Sequence, residues 1–196
     1  MIDVVVPSVS GREDSLARAI ESYQRHTHPD CLNIIVIRDE PTVGLAWNKG
    51  IEASTAPYIH LSCDDLEVTS STWAGACVEV MDQGKLPCPV VSRPDGSLES
   101  CGGDMNVTAC LISTVQPNGT EVDFSVVPFG SREQVEAIGM TEGHYLSDTY
   151  FSHKGRQLGY STVIVSDYAL THHHSNVKRR PVTQEDHRLY HEALNA

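Results

Sequence analysis

The 196-residue chain has 40% hydrophobic and 20% charged residues, a balance that suits a globular protein with one well-buried core and leaves little room for a second full domain. No apolar run approaches the ~20 residues that span a bilayer, and "MIDVVVPS" lacks the basic leader and long apolar run of a signal peptide, so a cytoplasmic location is expected. Lys and Arg total 14 against 26 Asp and Glu, a net charge of −12, which argues against nonspecific attraction to a polyphosphate and suits a protein that handles anions through a metal or a local basic patch.

Residues 2–6, "IDVVV", read as a β-branched strand closed by Pro7. In "SVSGREDSLARAIESYQ", Ser10 and Glu13 have capping-box spacing, and Leu16, Ala19, Ile20 and Tyr23 recur at helical spacing. "NIIVI" (33–37) is a second strand, "GLAWNKGIEAS" (44–54) a short helix and 58–62 a third strand. This β-α-β-α-β order predicts a parallel, helix-covered sheet with right-handed crossovers. Trp73, Cys77, Val78 and Met81 form the apolar face of a helix stopped at Gly84. Beyond it, "CPVVS" (88–92), "NVTACLIS" (106–113) and "EVDFSVV" (121–127) read as strands between Gly- and Pro-containing turns, an antiparallel or mixed extension of the sheet. Helices follow at 131–139 and 147–159, a strand at 160–170 and an amphipathic helix at 183–196 opened by Thr183. The six cysteines (31, 63, 77, 88, 101 and 110) include no CxxC pair and are expected as reduced thiols.

"APYIHLSCDDLEV" (56–68) starts as a buried strand and ends in Asp64, Asp65 and Glu67. In open α/β sheets ligands bind outside the carboxyl ends of the strands, where clustered carboxylates commonly hold a hard divalent cation; a solvated acidic turn is the plain alternative. No GxGxxG follows the first strand and no GxxxxGK[ST] occurs, which sets aside dehydrogenase and P-loop readings. A metal held by carboxylates is the remaining way to bind a diphosphate.

Taken in order, "VVVPSVSGREDSLARAIESY", "NIIVIRDEPT", "GLAWNKGIEAS", "PYIHLSCDDLEV", "GSREQVEAIGMTEGHYLSDTYFSHKGRQLGY" and "DYALTHHHS" resemble the GT-A glycosyltransferases of the inverting family 2 type, across residues 2–175. The resemblance implies one α/β domain with a Rossmann-like mixed sheet flanked by helices: a nucleotide-binding half at 1–68, an acceptor and catalytic half at 86–175, and a C-terminal helix at 183–196. It implies inverting, metal-dependent transfer of a sugar from a nucleotide-sugar donor, a UDP-sugar, with Mn²⁺ or Mg²⁺. By position, Pro7 and Ser8 lie beside the nucleotide and Asp39 reads the uracil ring. Asn48 and Gly50 match the "ARNxGixxA" segment, in which Trp47 replaces the arginine. The DxD element becomes "CDD": Cys63 takes the first aspartate position, Asp65 is the metal ligand and Asp64 an added donor contact. Asp148 falls on the second acid of the catalytic pair, as general base, and Ser147 replaces the first. Glu142 matches the acid of the "GgfdE" turn. "THHHS" carries the late metal-binding histidine, His172 by spacing, with His173 and His174 as alternatives.

Each residue also has a plainer role. Asp39 is a good turn former, Asp148 a good N-cap, and the histidine triplet reads as a solvated loop or an adventitious transition-metal site. His187 and His191 read as surface residues, and "KRR" (178–180) as a solvated basic turn. Two other functions compete: a sugar-nucleotide nucleotidyltransferase, weakened because "PSVSGRED" supplies only Gly11 and Arg12 for a phosphate loop, and a non-catalytic nucleotide-binding module of the same fold. The acceptor implied is a glycan hydroxyl or a hydroxymethylated base in phage DNA, the latter placing the protein in the host cytoplasm. No oligomeric state is implied.

Overall fold

The β-branched run near the N-terminus forms β1 (Ile2–Ser8), whose residues 2–6 are all buried, as befits a central strand of a parallel sheet. The computed structural model describes residues 1–104, 110–174 and 181–196. After β1 come α1 (Glu13–His26), β2 (Leu32–Arg38), α2 (Val43–Ala53), β3 (Tyr58–Leu61), β4 (Leu66–Val68) and α3 (Trp73–Met81). The second half contributes β5 (Leu86–Ser92), β6 (Leu98–Ser100), β7 (Gly103–Asp104), β8 (Cys110–Leu111), β9 (Glu121–Val122), β10 (Phe129–Ser131), α4 (Arg132–Ile138), α5 (Ser147–Gln157), β11 (Thr162–His172) and α6 (Gln184–Asn195).

Two mixed sheets result. The first has the order β10-β3-β1-β2: β1 is parallel to both β2 and β3, as the alternating pattern predicts, and β10 adds an antiparallel edge. The second has the order β4-β11-β5-β6, with β9 also on β11; β5 is parallel to β11, while β4 and β6 are antiparallel additions. The chain therefore leaves the first sheet at Leu61 and enters the second at Leu66, and the acidic "CDD" turn is the bridge between them. "LEV" is a strand rather than part of a solvated turn.

Several local expectations are corrected. Ser10 and Glu13 form no capping box: α1 starts after Arg12 without a side-chain cap, because Ser10 Oγ donates to Asp39, and Glu13 Oε1 accepts from the Gly11 N–H. Asp148 is not an N-cap: α5 begins one residue earlier, after Leu146 in the left-handed region at φ 67. Of 121–127 only Glu121–Val122 is a strand, and of 106–113 only Cys110–Leu111 is, residues 105–109 lying outside the described residues. "KRR" at 178–180 also lies outside them. The capping boxes of α4 (Ser131, Gln134) and α6 (Thr183, Asp186) do form, and Cys31, Cys63, Cys77, Cys88 and Cys101 are free thiols.

The close approach of α2 to its neighbours depends on two glycines. A Cβ on Gly50 would stand 2.1 Å from Val5 Cγ1, and one on Gly44 would stand 2.0 Å from the Thr141 carbonyl oxygen. The first seats α2 on β1 and the second lets the turn at 141–143 reach the start of α2, where Gly44 N–H donates to Gly143 O at 3.1 Å.

Candidate active site

Two cavities meet at the turn that follows β3, the first at the carboxyl ends of β1 and β2 and the second at those of β5 and β11. One, of about 300 Å³, is walled by Pro7, Ser8, Arg12, Ile37, Glu40 and Thr42 and reaches Cys63, Asp64, Asp65 and His144. The other, of about 230 Å³, is walled by Glu99, Leu111, Val127, Asp148 and His172 and also reaches Cys63 and Asp65. Cys63 and Asp65 thus stand on the wall common to both, which is where the chain crosses between the sheets.

The acid pair is held from the first cavity's side. Ser8 Oγ donates to Asp64 Oδ2 at 2.8 Å, and Arg12 Nη2 lies 2.7 Å from Asp64 Oδ1 and 3.1 Å from Asp65 Oδ2. Burial raises the Asp64 carboxyl above the usual range despite these partners. For Asp65, burial pulls upward but His172 and Arg12 outweigh it, leaving a lowered pKa and an ionised carboxylate. Burial likewise works against the charge on Arg12 and is overcome by the two aspartates, while the buried Arg12 Nε finds no hydrogen-bond partner among the described residues.

On the other side, His172 stands between two carboxylates. Its Nε2 is 3.7 Å from Asp65 Oδ2 and its Nδ1 is 3.1 Å from Glu99 Oε1; these acids outweigh burial and raise the imidazole's pKa. His174 Nε2 lies 3.0 Å from Glu99 Oε2. His173, on the opposite face of the strand end, reaches Glu67 at 3.1 Å, as the period-two alternation of an extended chain requires. The alternatives at the triplet thus separate: His172 and His174 share one face and His173 the other.

Asp148 lines the second cavity. Burial pushes its carboxyl up, and the Thr149 N–H, donating at 2.7 Å, only partly offsets that. Burial, with Asp65, Asp64 and Asp148 nearby, pushes the Cys63 thiol well above its ordinary value, so Cys63 is a neutral wall residue.

Of the remaining sequence-predicted residues, Pro7 and Ser8 line the first cavity. Asp39 is exposed, at φ 56 directly after β2, and both its oxygens accept from Ser10, at 2.7 Å from the N–H and 3.0 Å from Oγ. Asn48 and Glu142 are not brought to the cavities. Asn48 Nδ2 donates to Met140 O at 3.3 Å, and the Glu142 side chain is exposed while its carbonyl accepts from Thr42 Oγ1 at 2.6 Å. Trp47, where the family pattern has arginine, is 4% exposed and donates from Nε1 to Ser62 O at 2.9 Å, so it closes the core behind the crossing. Glu40, Glu99 and His144 were not singled out from the sequence, and Arg12 was named only as a phosphate-loop residue of the weaker nucleotidyltransferase alternative. His187 and His191 are exposed.

No protein-family model matches the chain, and no curated protein matches it. Solved structures do. The crystal structure of GalNAc-T7 with UDP, GalNAc and Mn²⁺ superposes over 100% of this chain with a TM-score of 0.76 at 12% identity, and the match covers 47% of that chain. S. aureus TarS 1-349 in complex with UDP-GlcNAc superposes over 96% of this chain with a TM-score of 0.70 at 11% identity, covering 64% of its own length. The chain spans half to two thirds of these structures. A match of this extent at such low identity is a statement about backbone architecture, and it agrees with the two mixed sheets flanked by helices: the chain has the fold of the GT-A glycosyltransferases.

Proposed function

We propose that the protein is an inverting glycosyltransferase that moves a sugar from a UDP-sugar to an acceptor hydroxyl. The observation that carries this reading is the pair of cavities joined at Cys63 and Asp65. A nucleotide in the first would direct its diphosphate to Arg12, and the sugar would pass the common wall into the cavity that contains Asp148. That the GalNAc-T7 structure holds UDP and Mn²⁺ and the TarS structure UDP-GlcNAc supports the choice of donor.

The reaction needs the acceptor oxygen to attack C1 as the bond from C1 to the diphosphate oxygen breaks, through an oxocarbenium-like transition state. Asp148 accepts the hydroxyl proton; burial has raised its proton affinity, which suits a general base. Arg12 faces the negative charge that the departing diphosphate takes up, its guanidinium held by Asp64, which Ser8 in turn fixes by donating to its other oxygen. Attack from the face opposite the leaving group inverts the anomeric centre. The imidazole of His172 with one of the two carboxylates that flank it, Asp65 at Nε2 or Glu99 at Nδ1, fits a divalent cation such as Mn²⁺ or Mg²⁺. When bound, such an ion supplies Lewis-acid stabilisation of the diphosphate. A glycan hydroxyl is the acceptor that suits a net charge of −12; a salt-sensitive mobility shift with duplex DNA would instead favour a nucleic-acid acceptor.

Calorimetric titration with UDP, GDP and dTDP, with and without Mn²⁺, tests the donor. Selective binding of UDP is the expected result, and absence of nucleotide binding under every condition overturns the reading.

A further inference from the structure

The Asp64–Asp65 pair already has its cation. Arg12 contacts both carboxylates from one nitrogen, at 2.7 and 3.1 Å, so a metal ion placed there would have to displace or confront a guanidinium. Two other carboxylates of the region are also compensated: Glu67 by Arg18 at 2.8 Å and Glu40 by Lys49 at 2.6 Å. Glu99 differs, because among the described residues its ion-pair partners are imidazoles: Oε1 faces His172 Nδ1 at 3.1 Å and Oε2 faces His174 Nε2 at 3.0 Å.

The fold brings Glu99 to the two histidines from a distant part of the sequence. Glu99 is on β6, at one edge of the second sheet, while His172 ends β11 and His174 follows it by two residues, on the same face. The two rings lie 4.1 Å apart between centroids. One ligand atom from each of Glu99, His172 and His174 lies within 4.8 Å of the other two. Donors about 2.1 Å from a common ion are at most about 4.2 Å apart; the 4.8 Å bound exceeds that reach only slightly, so small side-chain rotations that give up the two hydrogen bonds would bring the three atoms into one shell with room for further ligands. His172 also borders the second cavity, so those open positions would face it.

We propose that Glu99, His172 and His174 form a two-histidine, one-carboxylate site for a divalent transition-metal ion, and that the aspartate pair belongs to Arg12. For the ion's role beside a diphosphate the proposal rests on the donor reading given above; its binding does not. This assignment moves the ion from the Asp65 side of His172, where the family resemblance puts it, to the Glu99 side. It also changes the metal preference. Two imidazoles favour Co²⁺, Zn²⁺ and Mn²⁺ over Mg²⁺, whereas a site built on aspartates alone would suit Mg²⁺.

The test is titration of the full chain with Co²⁺, followed by visible absorption, on the parent and on Glu99→Gln, His174→Ala and Asp65→Asn. The proposal expects ligand-field bands in the parent, a Co²⁺ affinity lowered at least about tenfold by Glu99→Gln and by His174→Ala, and little change with Asp65→Asn. Loss of the bands in Asp65→Asn with both other variants unaffected overturns it, as does a parent that binds no Co²⁺. UDP titration in chelator separates this from the donor reading. UDP binding without any Co²⁺ bands removes the metal site alone, and Co²⁺ bands in a protein that binds no UDP, with or without metal, remove the donor reading while the metal site stands.

Discussion

Arg12 and Asp148 divide the proposed chemistry between the two cavities. Among the described residues, Arg12 is the one Lys or Arg lining the larger of these two cavities, which also carries Glu40, Asp64 and Asp65. Without it, a diphosphate would enter a pocket whose fixed charges repel it. Replacement by Met is predicted to weaken UDP binding by about 10- to 100-fold, the scale of losing a hydrogen bond to a charged group, measured by calorimetry. Asp148→Asn has a different signature. It keeps the shape of the second cavity and removes the proton acceptor, so kcat falls by about 10² to 10⁴ while the Kd for UDP is unchanged. The pH profile follows from the raised Asp148 pKa. The base works only when ionised, so activity is lost as pH falls through a value above the usual carboxylate range, and an acid limb at or below the ordinary aspartate value would contradict the role. Neither residue was equally visible in the sequence. Asp148 stands in a recognisable motif, whereas Arg12 sits in what looks like the entry to a capped helix, and only folding shows that Ser10 turns to Asp39 and leaves Arg12 facing the aspartates.

At the level of elements, the site is positioned by carboxylates that never touch it. Asp3, buried at the start of β1, accepts from Asn33 Nδ2, Ser54 Oγ and the Thr55 and Ala56 N–H groups, between 2.6 and 2.8 Å. Burial raises its pKa, and those four donors outweigh it, so the net direction is down. Asp186, in the first turn of α6, accepts from the His144 and Tyr145 N–H groups at 3.1 and 3.2 Å. It thereby ties α6 to the turn that leads into Asp148. Asp186→Ala is predicted to lower kcat by about tenfold with a smaller effect on UDP binding, since a loosened turn misplaces the base; equal losses in both would mean global destabilisation. Elements with strong local signals were legible: the β-branched β1, the parallel β1, β2 and β3, and the Ser131 and Thr183 caps. The three-residue strands β4, β6 and β10 were not, because pairs that short are specified by the partner strand rather than by their own periodicity. Glu99 lies in one of them, so its meeting with His172 and His174 depends on a pairing the local pattern does not announce.

The molecule as a whole is held together by a ring cluster that joins both sheets. His60 on β3 lies 5.0 Å from Phe129 on β10 and 5.6 Å from Tyr168 on β11 between ring centroids, with Tyr23 of α1 and Trp73 of α3 each at 5.5 Å. It is fully buried, its Nε2 contacts the Tyr168 hydroxyl, and its Nδ1 has no hydrogen-bond partner. Burial depresses its pKa to about 3, so in the fold His60 stays neutral down to about pH 3, whereas the unfolded chain's imidazole takes up its proton near the ordinary 6.5. The sign follows from proton uptake. Between 6.5 and about 3 the unfolded state binds a proton that the native state refuses, so the stabilisation is complete above 6.5 and is lost as pH falls through that window. A shift of this size corresponds to roughly 4–5 kcal/mol over the full window, enough to remove much of the stability of an ordinary domain. His60→Phe keeps a ring at the centre of the cluster and leaves the Tyr168 hydroxyl without its partner, at a cost of about 1–3 kcal/mol that does not depend on pH. Denaturant unfolding of parent and variant at pH 7 and pH 4.5 is therefore expected to cross: the variant is the weaker at pH 7, and the parent loses about 2–3 kcal/mol more than the variant on acidification. Parallel loss in the two proteins would show that His60 does not set the acid limit of the fold, and the surface carboxylates would then be its source.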